Sequence, residues 1–261
     1  MDALTAGRWQ MEVSLAFHMM FAAAGMAMPA MLLIAESRWL RSNDLTALAL
    51  ARTWSRALAV LFAVGAVSGT ALSFELGLLW PKFMAFAGPI VGMMFAFEGY
   101  AFFTEAIFLG LYLYGWGKMS PRAHWLAAWP VAISGALSGA LVLGANSWMQ
   151  SPAGFAVGAD GLPASIDPIA ALFNPSWALM AVHAVLSSYS AVGLLAAGLY
   201  ALGLLRDRRP ERAPYNRLAV LIALAVATPA VLLQPVVGDL LGGQAHHLQP
   251  AKLAAMEAQF A

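Results

Sequence analysis

The chain has 261 residues, 61% of them hydrophobic and only 10% charged, with a mean hydropathy of +0.73. Soluble domains carry roughly a quarter charged residues, so this chain lacks the surface water requires and belongs in a bilayer. A net charge of +1 with no basic cluster argues against nucleic acid, and zero cysteines exclude disulfides, thiolate metal sites and iron–sulfur clusters.

A helix needs about 20 mostly apolar residues to cross the hydrocarbon core. Six segments qualify, at residues 10–37, 54–78, 86–115, 122–147, 176–205 and 214–237. The expected fold class is an all-α integral membrane bundle of about six transmembrane helices. The N-terminus, MDALTAGRWQMEV, lacks the basic region and apolar core of a cleavable signal, so the first span is expected to stay in the protein.

The first span carries His18, about eight residues in, with Arg8, Glu12 and Glu36 towards its ends; Glu75 lies at the end of the second. Snorkelling or capping accounts for the terminal charges. The third span holds Glu98 and Glu105, seven residues and nearly two turns apart, which puts both carboxyls on one face about 10 Å apart. Stacked intramembrane carboxyls suit a proton relay; structural hydrogen bonding is the alternative. His124 at the start of the fourth span, and His246 and His247 near the C-terminus, read as solvated surface. Residues 150–174, rich in Gly, Pro and Asp, read as an ordered external loop.

His183 lies about eight residues into the fifth span, so both intramembrane histidines sit roughly 12 Å along helices entered from the same face. Neutral imidazoles at matched depth in a bundle point to haem; a histidine hydrogen-bonded to a neighbour, with no cofactor, is the alternative. After the sixth span, Gly238 to Pro250 reads as non-helical, followed by the short amphipathic ending AKLAAMEAQFA.

Eleven of the 14 Lys and Arg residues fall on one side: Arg38, Arg41, Arg52, Arg56, Lys118, Arg122, Arg206, Arg208, Arg209, Arg212 and Arg217. Arg8, Lys82 and Lys252 fall on the other. The bias places both termini outside.

The segments GRWQMEVSLAFHMMF, SFELGLLW, FEGYAFFTEAIFLGLYLYGW, NSWMQSPAGF, VHAVLSSYS and GDLLGGQAHHLQPAKLAAMEAQF occur in this order and on these spans. Together they resemble the N-terminal half of subunit I of the cytochrome bd quinol oxidases, over essentially the whole chain. The resemblance implies that His18 is the axial ligand of a high-spin haem where oxygen is reduced. It implies that His183 ligates the low-spin haem that accepts electrons from quinol. Glu98 and Glu105 match acidic residues that carry protons to the oxygen site, and Arg8, Asn146 and Trp148 match positions near the haems. Lys252 and Glu257 match the start of an external quinol-binding loop, where a lysine can bind quinol oxygens and a carboxylate can accept a proton.

The implied division is a haem-binding bundle at 1–237 and the start of the quinol loop at 238–261. The implied cofactors are haem b and haem d, or a second haem b in place of haem d. The implied setting is the prokaryotic cytoplasmic membrane, among lipid, with a subunit II and a chain supplying later helices. The family's methionine and glutamate haem ligands on those later helices have no counterpart here. The chain therefore reads as half of a split subunit, a short paralogue with fewer haems, or a fragment. Two other functions stay open: a membrane haem protein exchanging electrons with quinol without reducing oxygen, and a non-catalytic assembly subunit.

Overall fold

A computed structural model describes residues 2–207 and 209–259. Arg208, counted above among the basic residues, and the last two residues of the expected quinol segment lie outside the described residues. The apolar runs form helices longer than predicted: α1 (Ala3–Ser42), α2 (Leu45–Leu79), α3 (Pro81–Gly115) and α4 (Pro121–Gln150). A 26-residue connection follows, containing the two-stranded antiparallel ribbon β1 (Ala156–Val157) and β2 (Pro163–Ala164) and the short α5 (Pro168–Leu172). Then come α6 (Trp177–Arg206), a 3₁₀ turn at Pro210–Arg212, α7 (Ala213–Leu248) and α8 (Pro250–Met256). Among the described residues six helices are long and apolar enough to cross a membrane, as expected.

Two boundaries differ from the sequence reading. The predicted loop between the first two spans is only Asn43 and Asp44. Asn43 takes a left-handed conformation (φ 52°) and closes α1, while the Asp44 carboxylate accepts from the backbone N–H groups of Thr46 and Ala47 and starts α2. The Arg38 guanidinium bonded to Asp44 (2.8 Å) holds that carboxyl below its usual range. The second difference is a correction: residues 238–248, read as non-helical, continue α7 without a break. Gly238, Gly242 and Gly243 suggested a loop, but a helix already nucleated and packed along α6 tolerates glycines at about 1 kcal/mol each.

The helices associate mainly as the pairs α1–α2, α3–α4 and α6–α7, with α1 and α4 joining the pairs to one another. One core joins Met28, Met31, Leu32 and Ala35 of α1 to Leu50, Trp54 and Leu58 of α2, Val131 of α4 and Ile222 of α7. A second packs Ile90, Val91 and Met94 of α3 against Trp148 of α4 and Leu172 of α5. Large apolar side chains such as Val67, Leu78, Leu205 and Leu232 point outward, as a lipid-facing surface requires.

Small residues set the close crossings, since helices in lipid gain by backbone approach rather than by hydrophobic exclusion. At Gly193 of α6, an added Cβ would lie 2.7 Å from the Ala227 Cβ and 3.0 Å from the Ala223 carbonyl of α7. Both neighbours are rigid. Gly193→Ala should therefore cost about 1–3 kcal/mol by overpacking, read as a lower unfolding midpoint in detergent. An unchanged midpoint would show that α6 and α7 can part without loss.

Candidate functional site

His18, half-buried on α1, faces α2. Its Nδ1 lies 3.0 Å from the Ser68 Oγ, and that hydroxyl, with its single hydrogen, also lies within reach of the backbone carbonyls of Val64 (2.9 Å) and Gly65 (3.1 Å). With that hydrogen on a carbonyl, the serine accepts from Nδ1–H and the Nε2 lone pair is left free; with it on Nδ1, the two roles reverse. Beside the ring lies Gly69, where a Cβ would fall 2.9 Å from the His18 Cε1. Only glycine lets the imidazole sit there.

His183 on α6 faces α7. The Gln234 amide nitrogen lies 3.1 Å from its Nε2 and 3.3 Å from its Nδ1, and also within reach of the His183 carbonyl (3.3 Å) and the Ser187 hydroxyl. The Gln234 Oε1 is buried without a hydrogen-bond partner. One turn along α7, a Cβ at Gly238 would come within 3.7 Å of the His183 Cε1. The equal depths expected from sequence are not reproduced as equal distances from the helix starts. His18 is 15 residues beyond Ala3, whereas His183 is six beyond Trp177, because α1 begins seven residues before the predicted start at residue 10. The two imidazoles also belong to different helix pairs.

Glu98 and Glu105 share a face of α3, as their spacing predicted, and that face meets α4. The Ser138 hydroxyl donates to the Glu98 Oε1 (2.7 Å). Glu105, 4% exposed, has its Oε1 buried with no partner. That oxygen occupies a notch of two glycines: a Cβ at Gly135 of α4 would sit 3.0 Å away, and one at Gly25 of α1 3.5 Å away. Ser138 and Gly135 are one turn apart, so one edge of α4 serves both carboxyls.

The remaining sequence-selected residues gather near the ends of helices. The Asn146 Oδ1 accepts from the Gln150 amide (2.8 Å), and the Gln150 Oε1 accepts from the Lys252 ammonium of α8. The Gln249 amide also donates to the Gln150 carbonyl, so Gln150, not singled out by sequence, pins α8 to the end of α4. Trp148 is buried, donates to the Ala153 carbonyl (3.0 Å) and packs on Phe155, which makes it a support of the 151–176 connection. Glu257 is exposed just beyond α8 and accepts from the Gln259 amide (3.0 Å); Arg8 is exposed in the second turn of α1. Glu75 holds α2 against α1, its Oε1 accepting from Ser14 (2.8 Å) and Gln10 (3.3 Å).

A second buried polar cluster overturns two sequence readings. His124 is not solvated: it is 2% exposed, and Glu36, read as a snorkelling or capping residue, is fully buried. The His124 Nδ1 lies 2.7 Å from the Glu36 Oε1, its Nε2 lies 2.8 Å from the Tyr112 carbonyl, and the Tyr112 hydroxyl donates to the Glu36 Oε2 (2.8 Å). A carbonyl only accepts, so Nε2 carries a hydrogen and a second proton lies between Nδ1 and the carboxylate. Trp116 covers the imidazole at a centroid distance of 3.9 Å, with the Arg52 guanidinium over the indole at 5.2 Å. The cluster ties α1, α3 and α4 together. Sequence reasoning took Glu36 to be terminal because the first helix was drawn too short, α1 running six residues past it; His124 does stand in the first turn of α4, but that turn packs against α1 and α3.

The profile of the cytochrome bd terminal oxidase subunit I family matches residues 6–261. A Bacillus subtilis relative named as a cytochrome bd menaquinol oxidase subunit I is 34% identical, over all of this chain and 59% of its own length. The cytochrome bd-II ubiquinol oxidase subunit 1 of Escherichia coli is 30% identical, over 99% of this chain and 50% of its own. Among solved structures, the bd oxidase from Geobacillus thermodenitrificans superposes with a TM-score of 0.93 at 36% identity, covering all of this chain and 60% of that one. The chain thus spans between half and three-fifths of the length of the relatives it matches. With its six-helix bundle, with His18 and His183 on α1 and α6, and with its paired carboxyls on α3, this chain belongs to the cytochrome bd terminal oxidase subunit I family.

Proposed function

We propose that this chain is a haem-binding part of a bd-type quinol:oxygen oxidoreductase of the prokaryotic cytoplasmic membrane. Quinol is oxidised at the outer face and oxygen is reduced to water. The observation that supports the reading is the Ser68 hydroxyl 3.0 Å from the His18 Nδ1, a partner that can accept the ring hydrogen there and so leave the Nε2 lone pair to a metal. A hydrogen bond on the far nitrogen of this kind is what orients ligating histidines generally. His18 would hold the high-spin haem of the oxygen site and His183 the low-spin haem that receives electrons, with haem b and haem d, or a second haem b, as the groups bound. Bound haem supplies the one-electron chemistry between a two-electron donor and oxygen.

The chain's own residues handle substrate and protons. Lys252 binds a quinol oxygen and Glu257 takes the proton released as quinol is oxidised. The segment from residue 238 onward is the start of the quinol loop, and Arg8, Asn146 and Trp148 would stand near the haems. Glu105 and Glu98 pass protons along α3 towards the oxygen site. The excess of arginine at the α1–α2, α3–α4 and α6–α7 turns supports a cytoplasmic position for those turns, with both termini outside. Protons taken from inside and released outside would then build a gradient without a pump. A subunit II and a chain bearing further helices complete the enzyme.

Alanine substitution of each histidine, in the complex with its partner chains, tests the assignment through reduced-minus-oxidised spectra. His18→Ala should lose the high-spin bands and oxygen uptake while quinol still reduces the low-spin haem. His183→Ala should lose the low-spin band and reduction by quinol. Unaltered spectra in either variant would overturn its assignment, and quinol reactivity without oxygen uptake in the parent complex would favour simple electron transfer.

A further inference from the structure

The end of α4 meets the start of α8 through one residue, Gln150, which closes α4 and is half-buried. Its backbone carbonyl is one of the last four on the helix and so has no intrahelical donor; it accepts from the Gln249 side-chain amide. The Gln150 side chain makes a separate set of contacts. Its Oε1 accepts from the Lys252 ammonium, and its Nε2 donates to the Asn146 Oδ1 (2.8 Å), one turn back on α4.

The donors and acceptors along this row admit one arrangement. An ammonium only donates, so the atom of Gln150 that faces it is the amide oxygen. The amide nitrogen then faces Asn146, whose oxygen must accept from it. Asn146 thereby orients the Gln150 amide, and Gln150 holds the tip of a long side chain that is otherwise exposed on a seven-residue helix. Among the described residues the Lys252 ammonium makes no ion pair and no second hydrogen bond. Gln150 therefore fixes the ammonium without neutralising it, and takes one of its three hydrogens. A carboxylate in the same place would pair with the charge and compete with any neutral oxygen brought to it.

We propose that Gln150 is a positioning residue for quinol binding: its amide oxygen, oriented by Asn146, holds the Lys252 ammonium at the end of α4, ready to donate to a quinol oxygen. The proposal rests on the reading of Lys252 as a quinol ligand. Gln150 acts through that ammonium, without touching quinol. A lysine side chain has much rotamer freedom to lose, and a partner that orders it beforehand removes that loss from the binding step.

Steady-state quinol oxidation by the assembled complex separates this role from packing. Gln150→Met keeps the side-chain length and the backbone carbonyl that Gln249 uses, so α8 stays tethered while Lys252 is released. The KM for quinol should rise about 3- to 10-fold, the cost of ordering one long side chain on binding, with kcat and haem spectra at parental values. In a Lys252→Ala background the same substitution should change nothing further. Asn146→Ala frees the Gln150 amide to turn and should raise KM in the same direction, which reads the proposal if the Met variant fails to assemble. An unchanged KM overturns it. A rise of equal size with and without Lys252 also overturns it, because Gln150 would then act on α8 as a whole. Lys252→Ala is the control for the underlying reading. An unchanged KM there overturns the quinol assignment and this proposal together; a raised KM there beside a parental KM in Gln150→Met overturns this proposal alone.

Discussion

Replacing His124 with alanine should lower the stability of the bundle by about 3–5 kcal/mol, the range for removing one partner of a buried ion pair. The size comes from what is left behind. Glu36 is fully buried and accepts from His124 and from the Tyr112 hydroxyl. Without the imidazole, the Glu36 Oε1 loses its donor. The loss should also free the Tyr112 carbonyl and uncover one face of Trp116, loosening α1, α3 and α4 at the same end. Thermal unfolding of the detergent-solubilised complex reads the effect. The double variant Glu36→Gln with His124→Ala should recover part of it, because a neutral amide replaces the stranded charge. A loss below about 1 kcal/mol in His124→Ala, the size expected of an exposed pair, would refute the buried pairing.

Glu105→Gln should act on turnover and leave the fold alone. The Glu105 Oε1 has no hydrogen-bond partner in its notch between Gly25 and Gly135, so an amide there breaks no bond. What it removes is a group able to accept and release a proton, and general acid–base groups are worth about 10²–10⁴ in rate. Oxygen uptake should fall by that factor while haem bands, quinol reduction and unfolding midpoint stay at parental values. Ordinary oxygen uptake in Glu105→Gln would make the carboxyl structural after all. Gly135→Ala offers an independent approach: its Cβ would press on the same oxygen at 3.0 Å and on the Gly25 carbonyl at 3.1 Å, and it should slow turnover without removing the carboxyl.

Part of the site was legible in order along the chain. A carboxyl or imidazole inside an apolar run is costly, which is why His18, His183, Glu98 and Glu105 stood out unaided. The seven-residue spacing placed both glutamates on one face of α3 because the helix period is local and needs no partner. Their surroundings were not legible. That Ser68 fixes the His18 ring and Gly69 makes room for it depends on how α1 lies on α2. Gln234 was detectable in principle: a glutamine in VLLQPVV is as anomalous in lipid as a histidine, but an uncharged amide drew less notice.

The errors come from helix length and from packing at helix ends. Apolar runs mark what lies in hydrocarbon, whereas helices continue past it until a cap or a proline stops them. Glu36 therefore looked terminal when α1 in fact extends to Ser42, whereas His124 is terminal in α4 as drawn and is buried because that turn packs on Glu36 and Tyr112. Residues 238–248 looked like a loop because glycine weakens an isolated helix, yet α7 packs along α6 and continues.

Composition and hydrophobic length by themselves determined that the chain crosses a bilayer as six helices, since the cost of placing polar backbone in hydrocarbon leaves few alternatives. Local periodicity determined which face of α3 bears its carboxyls. Only the tertiary structure decided which charges are buried in pairs, which side chain faces each imidazole and which glycines admit a neighbour. Those depend on distances between residues far apart in the chain, and helix crossings set them.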